Sequence, residues 1–219
     1  MLTYEELKKN RDIREYIQRA DESLIALGYT EHSFAHVGKV AANTEYILKT
    51  LDYPEHTVEL AKIAAYMHDI GNLVNRVDHS QSGAIMAFRL LDKLGMPAQD
   101  IATIVTAIGN HDEGTGVPVN PVAAALILAD KSDVRRSRVR NRDISTFDIH
   151  DRVNYSVVDS ELEISDDRSR ICLTLTIENT YSSVMDYFEI FMNRMILCRK
   201  AADSLHMTFG LVINGHTLL

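Results

Sequence analysis

Hydrophobic residues recur three or four positions apart over most of the first 135 residues, a spacing that is typical of helices with one buried face. Glycine and proline close several of these stretches, as Gly28 and Pro54 do, because proline cannot continue a helix and glycine readily adopts the conformation that follows one. The pattern predicts six helices, over residues 3–27, 33–51, 55–68, 80–94, 98–109 and 122–130. The first part of the chain is therefore expected to be an all-α bundle.

A different pattern begins after about residue 150, where apolar and polar residues alternate. Residues 158–164 and 171–177 both follow this period of two, which predicts a hairpin of two strands with one buried face. Helical spacing returns over residues 184–205, and residues 209–213 are predicted to form a last strand. We therefore expect a mainly α fold, with a helical domain in residues 1–145 and a small α+β annex of ββαβ order in residues 146–219.

Composition places the chain among ordinary globular proteins. It has 219 residues, of which 46% are hydrophobic and 25% charged, a size suited to one large domain or one domain with an annex. The longest apolar run, residues 122–129, is far shorter than the roughly 20 residues needed to span a bilayer. The polar N-terminus lacks the apolar region of a signal peptide, and two cysteines cannot form a disulfide framework. We therefore expect a cytoplasmic protein with no membrane partner.

Nine histidines in a chain with two cysteines indicate that any metal ligands are imidazoles and carboxylates. Six such residues stand at or near the ends of predicted helices: His36, His68, Asp69, His79, His111 and Asp130. Neighbouring helical side chains point about 100° apart, so the pair His68-Asp69 can reach one ion only where its helix ends. Gly71 supplies that ending. Such a nitrogen and oxygen site suits a divalent transition metal: Mn, Fe, Co, Ni or Zn.

The order and surroundings of these residues resemble the HD-domain superfamily of metal-dependent phosphohydrolases. The superfamily pattern H…HD…D is matched by His36, His68-Asp69 and Asp130, and the branch with two metal ions adds two histidines, matched by His79 and His111. The resemblance covers roughly residues 28–150 and includes the segments HVGKVA, AAYMHDIGN, VDHSQSGAIMA, NHDEG and LILADKSD. A prokaryotic subset of the superfamily also shares GYT before His32 and His36, HDIGN before DH, and DIH at residues 148–150.

The resemblance implies an HD-domain bundle with a hydrolase activity on a phosphomonoester or phosphodiester, nucleotide-like in character. Two cations would lower the pKa of a bound water and stabilise charge that develops in the transition state. Asp69 would bridge the ions, and Asp130 would be a ligand that also orients the attacking group, so both are predicted to be catalytic. A site with one ion is the alternative, in which His79 and His111 contact the substrate directly.

Phosphate binding is expected from basic residues near these ligands. Many active members of the superfamily have lysine directly after HDIG, but this chain has Asn72, so that role must weaken or pass to other residues. Residues 131–142 (KSDVRRSRVRNR) carry a net charge of +5 within a chain of net charge −8. The residues predicted to hold phosphate are Arg76, Lys131, Arg135, Arg138 and Arg140. An exposed loop or a subunit contact is the alternative for the basic segment.

The same candidate ligands and basic residues are also compatible with two other functions. The chain could be a sensor that binds a phosphorylated ligand without turnover, with the annex reporting occupancy, or an oxygenase with a di-iron site. Its acidic balance argues against a nucleic-acid partner, and the strand edges of the annex suggest a homodimer. His32 is expected near the ligands or the substrate, and His150 either at the domain junction or against the substrate. Asp78, Asp112 and Glu113 are expected to orient the imidazoles.

Overall fold

The computed structural model describes residues 2–219 and is mainly α, as the hydrophobic pattern predicts. The helices of this part of the chain are α1 (Tyr4–Leu7), α2 (Arg11–Ala26), α3 (Phe34–Thr50), α4 (Glu55–Met67), α5 (His79–Lys93), α6 (Ala98–Gly109), α7 (Pro121–Ser132), α8 (Ile149–Ser156) and α9 (Val184–Ser204). The strands are β1 (Val157–Ile164), β2 (Arg170–Ile177), β3 (Thr208–Ile213) and β4 (His216–Thr217). Short 3-10 turns occupy Ile70–Leu73, Arg136–Arg138 and Ile144–Thr146.

Capping residues explain where the elements differ from the predicted ones. Residues 3–27 form two helices, because the side chain of Asn10 accepts a hydrogen bond from the backbone nitrogen of Ile13 and starts α2. The eight residues of α8 were not predicted, since they are too few to display a helical period. Asp148 caps that helix by accepting from the backbone nitrogen of Asp151. The C-terminal sheet also ends in the short strand β4, which was not predicted.

Helix α7 lies at the centre of the fold. All residues from Val122 to Ser132 are buried, which explains why this segment is apolar without a helical period. It packs against α3, α4 and α6 within the bundle and against α9 of the annex. Within residues 2–219, none of the helices combines the length and the apolar character needed to cross a membrane.

The annex is a sheet with the strand order β1-β2-β3-β4, covered on one face by α9. β2 pairs antiparallel with β1 and parallel with β3, with Leu173 opposite Leu211 in the parallel pair. Helix α9 makes the crossover between β2 and β3 and buries Tyr187, Phe191 and Met195. One hydrophobic cluster includes side chains of both the bundle and the annex, so the annex is packed firmly against the bundle.

A close backbone contact holds the turn Ile70–Leu73 against the start of α5. A Cβ added at Gly71 would overlap the backbone oxygen of His79 and lie 2.5 Å from the backbone nitrogen of Gly83. Glycine is required at this position because the two segments leave no space for a side chain.

We therefore expect Gly71→Ala to lower the free energy of unfolding by about 2 kcal/mol or more, as overpacking in a well-packed region does. Gly38→Ala is the matched control, because Gly38 lies within α3 and a Cβ there meets no atom within 4 Å. The control is expected to raise the free energy of unfolding by about 0.5 to 1 kcal/mol through helix propensity. Urea unfolding of both variants measures the difference, and equal stabilities would contradict the close contact.

Candidate metal centre

Six buried side chains converge where helices of the bundle begin or end. His36 lies in the first turn of α3, His68 and Asp69 directly follow α4, and His79 begins α5. His111 follows α6, and Asp130 lies in the last turn of α7. None of the six residues is more than 9% exposed. The structure thus brings together all six predicted ligands.

The first group of donor atoms surrounds a point between α3, α4 and α7. His36 Nε2 lies 3.3 Å from Asp130 Oδ1 and 3.5 Å from Asp69 Oδ2. His68 Nε2 lies 3.2 Å from Asp69 Oδ2 and 3.6 Å from Asp130 Oδ1. Yet His36 Nε2, His68 Nε2 and Asp69 Oδ2 are buried without a hydrogen-bond partner in the described chain. Unpaired buried polar atoms cost about 1–3 kcal/mol each, and a cation among them would satisfy all three.

A second group of donor atoms overlaps the first. One donor atom from each of His68, Asp69 and His111 lies within 4.8 Å of the others. His79 Nε2 extends this group, at 3.6 Å from Asp69 Oδ1 and 3.2 Å from His111 Nε2. Asp69 therefore presents Oδ2 toward His36 and His68, and Oδ1 toward His79. The donor set fits a divalent metal ion, and it has enough nitrogen and oxygen atoms for a second one.

The outer nitrogen of each imidazole is held by an acceptor, and three of these acceptors are backbone carbonyls. His68 Nδ1 lies 2.7 Å from the oxygen of Ala65, His111 Nδ1 lies 2.6 Å from that of Ile108, and His79 Nδ1 lies 3.1 Å from that of Arg76. Each carbonyl lies three residues before its histidine, and those of Ala65 and Ile108 belong to the final turns of α4 and α6. A neutral imidazole that donates from Nδ1 keeps its lone pair on Nε2, the atom that faces the cluster.

His36 is the exception, since its Nδ1 lies 2.8 Å from Asp133 Oδ2. Asp133 is fully buried, and it was not among the residues predicted to orient imidazoles. The residues predicted to orient imidazoles make other contacts. Asp112 Oδ1 lies 4.0 Å from Nε2 of His79, and Glu113 forms an ion pair with Lys131. Asp78 takes the left-handed conformation before α5. Spacing along the chain could not reveal Asp133, because it reaches His36 from 97 positions away.

The electrostatics of the cluster favour positive charge at its centre. Burial lowers the pKa of His68, but the carboxylates of Asp69 and Asp130 overcome this effect and raise it to about 10. Burial likewise opposes ionisation of Asp69, yet the neighbouring His68 holds the pKa of that carboxyl well below its usual range. Two buried carboxylates thus face His68, and a metal cation bound there would compensate their negative charge.

A cavity of about 420 Å³ opens onto this cluster. Its wall includes Asp69, His79, His111 and Asp130 of the cluster, and four cations: Arg76, Lys131, Arg138 and Arg194. His32 and His150 also line it, which is the position expected of residues that contact a substrate. Tyr29 also lines the cavity, with 44% of its surface exposed. The centre of its ring lies 5.8 Å from the guanidinium carbon of Arg76. Arg194 belongs to α9 and was not predicted, because no local motif marks it.

Arg135 and Arg140, which the sequence predicts to hold phosphate, are not among the residues that line the cavity. Arg135 lies 2.9 Å from both Asp133 and Glu31, and Arg140 pairs with Asp21. These two arginines neutralise acidic residues of the bundle, so their charges are compensated within the fold. The basic segment also exchanges backbone contacts with Glu31, whose nitrogen donates to the oxygen of Arg138 at 2.8 Å.

The family model that matches this chain spans the whole cluster. Residues 33–153, more than half of the chain and a range that includes all six converging residues, match the family model for the HD domain. The chain is 25% identical over 191 residues to the uncharacterized protein MJ1020 of Methanocaldococcus jannaschii, covering 76% of this chain and 73% of the relative. It is also similar to the crystal structure of a predicted HD superfamily hydrolase from an uncultured Thermotogales bacterium, at 25% identity and a TM-score of 0.46, covering 57% of this chain and 68% of that one.

We expect His68→Ala to remove most of the bound metal, because His68 belongs to both groups of donor atoms. The exposed His216 provides the control variant His216→Ala, which should keep the metal content of the unaltered protein. Elemental analysis of the purified proteins measures this. In addition, EDTA should lower the melting temperature of the unaltered protein and leave that of His68→Ala unchanged, since a ligand stabilises only the form that binds it. Equal metal content in both variants would contradict the assignment.

Proposed function

This chain belongs to the HD-domain family, a family of metal-dependent hydrolases, and we propose that it hydrolyses a phosphoester with divalent metal ions bound by the six converging residues. One observation carries the proposal. Buried nitrogen and oxygen atoms of His36, His68 and Asp69 lack hydrogen-bond partners, and the cavity beside them is lined by Asp69 and by four cationic side chains. Unpaired donor atoms are suited to a metal ion, and the cations are suited to an anionic substrate.

We assign His36, His68 and Asp130 to one metal ion, and His79 and His111 to a second. Asp69 is suited to bridge them, because its two carboxylate oxygens face the two groups separately. When bound, the ions would lower the pKa of a water and neutralise charge on the phosphate. The metal is one of the first-row divalent ions that accept mixed imidazole and carboxylate ligands: Fe, Mn, Zn, Co or Ni.

The two catalytic carboxylates are held by neighbouring donors. Asn72 Nδ2 donates to Asp69 Oδ1 at 3.0 Å, and Lys131 Nζ lies 2.8 Å from Asp130 Oδ2. Asn72, which occupies the position where a phosphate-binding lysine is common, therefore orients a ligand. We propose that Asp69 and Asp130 orient the attacking water: its oxygen bonds to phosphorus as the P–O bond to the leaving group breaks, and a water proton passes to the departing alkoxide.

Arg76, Lys131 and Arg138 are the predicted phosphate-binding residues that lie in the wall of the cavity. A volume of about 420 Å³ is suited to a small phosphorylated molecule. The exposed ring of Tyr29, next to Arg76, offers a flat face against which a nucleobase could stack. We therefore propose a nucleotide-like phosphoester as the substrate.

The proposal predicts that the metal-loaded protein hydrolyses phosphoesters and that the metal-free protein does not. Protein stripped of metal and reloaded separately with Fe(II), Mn, Zn, Co or Ni is assayed on p-nitrophenyl phosphate, bis-p-nitrophenyl phosphate and a nucleotide panel. Asp69→Ala should lower kcat by about a thousandfold or more, because bound metal supplies several kcal/mol of transition-state stabilisation. His216→Ala again serves as the control. Absence of hydrolysis by protein with verified metal content would refute the proposal.

A further inference from the structure

Helix α9 of the annex brings a guanidinium to the metal cavity. Phe191 and Arg194 of this helix line the cavity, although both lie outside residues 33–153 that match the HD domain. Arg194 Nε donates to Glu113 Oε1 at 2.9 Å, and the guanidinium lies 4.2 Å from the centre of the Phe191 ring. These two contacts hold the arginine in one orientation.

The charge pairs around Arg194 lead directly to a candidate metal ligand. Glu113 also contacts Lys131, at 2.7 Å between Oε2 and Nζ, and Lys131 contacts Asp130 at 2.8 Å. Within this series of contacts two cations thus share the carboxylate of Glu113, so one positive charge is left over once a metal ion engages Asp130. Burial of charged groups is costly for a purely structural contact, which apolar residues can make at least as well. An anionic ligand in the cavity would compensate this charge.

Arg194 keeps both terminal nitrogens available for phosphate, whereas Arg76 uses its Nη1 for the side chain of Asn72. Glu113 holds the Nε of Arg194, and neither terminal nitrogen of Arg194 makes a hydrogen bond within residues 2–219. Arg138, by contrast, uses its Nε for the backbone oxygen of Glu31 and its Nη1 for that of Asp133. The Nζ of Lys131 is enclosed by two carboxylates. Arginine binds phosphate most strongly through paired N–H groups of this kind.

We propose that Arg194 binds the phosphate of the substrate, that Glu113 positions it, and that the substrate is a phosphomonoester. This inference rests on the proposed function. A monoester has three terminal oxygens and a diester has two, so with one oxygen shared by the metal ions a monoester leaves two for paired contacts with a guanidinium and a diester leaves one. The annex is therefore part of the active site. Helix α9 supplies a positive charge for phosphate, which Asn72 cannot do at the position where other members of the family have lysine.

The test compares Arg194→Ala and Arg194→Lys with Arg199→Gln, a control at an exposed position of the same helix. For metal-loaded protein, kcat/KM is measured with p-nitrophenyl phosphate as the monoester and bis-p-nitrophenyl phosphate as the diester. Inhibition by inorganic phosphate and its effect on the melting temperature are measured in parallel. Arg194→Ala should lose about ten- to a hundredfold in kcat/KM for the monoester, as expected for a hydrogen bond to a charged group, with a smaller loss for the diester.

Further results expected of Arg194→Ala are weaker inhibition by phosphate, unchanged metal content, and partial recovery of monoester hydrolysis when guanidinium is added. Arg194→Lys should lie between Arg194→Ala and the unaltered protein, whereas Arg199→Gln should match the latter. An unchanged ratio of monoester to diester hydrolysis in both Arg194 variants would overturn the inference while leaving the proposed function intact. Loss of metal from Arg194→Lys would also overturn it, since the role of Arg194 would then be structural.

The two proposals can fail separately. If the unaltered, metal-loaded protein hydrolyses neither ester, the proposed function fails. Thermal stabilisation by inorganic phosphate then tests the binding role of Arg194 without any turnover. Stabilisation that disappears in Arg194→Ala supports phosphate binding by this residue, and equal stabilisation of both proteins refutes it.

Discussion

Four imidazoles and two carboxylates are buried around one point, and much of the surrounding structure serves to orient and compensate them. A buried polar atom needs a hydrogen-bond partner or a metal ion, and a histidine has two ring nitrogens that each need one. At the end of a helix the last carbonyls have no partner within the helix. His68 and His111 use these carbonyls to hold Nδ1, and Nε2 then faces the cluster. These two histidines thus satisfy Nδ1 within their own segment, and His79 does the same with the carbonyl of Arg76 just before α5.

His36, in the first turn of α3, is the one imidazole of the cluster whose Nδ1 does not contact a nearby carbonyl, so its acceptor comes from elsewhere in the fold. Asp133 provides it, and this fully buried carboxylate in turn requires cations. Burial raises its pKa, but His36 and Arg138 outweigh that effect and hold the pKa below its usual range. Lys39 at 3.3 Å and Arg135 at 2.9 Å complete the shell. The basic segment thus joins α3 to the end of α7, the two elements that carry His36 and Asp130.

These contacts explain how far the sequence could predict the molecule. Helical spacing located the long helices, and the alternation of Leu and Ile located the hairpin, because both patterns are local. The six converging residues were predictable because their neighbours form recognisable motifs in a fixed order. The roles of Arg135 and Arg140 were not, since Glu31 and Asp21 lie 104 and 119 positions away. Positive charge in a sequence indicates that anions are near, but it does not distinguish a substrate from carboxylates of the fold.

The same reasoning applies to the annex. Its helix α9 packs along α7, and the last turn of α7 carries Asp130 and Lys131. One face of α9 buries Tyr187 and Met195 in the shared core, while Arg194 reaches Glu113 beside the metal cluster. Without α9, Glu113 would lose Arg194, one of its two cationic partners, next to the Lys131–Asp130 pair. Displacement of α9 would thus change both the packing of α7 and the charge around its carboxylate. Phe191 and Arg194 of α9 both line the cavity, so the annex forms part of the wall beside the metal cluster.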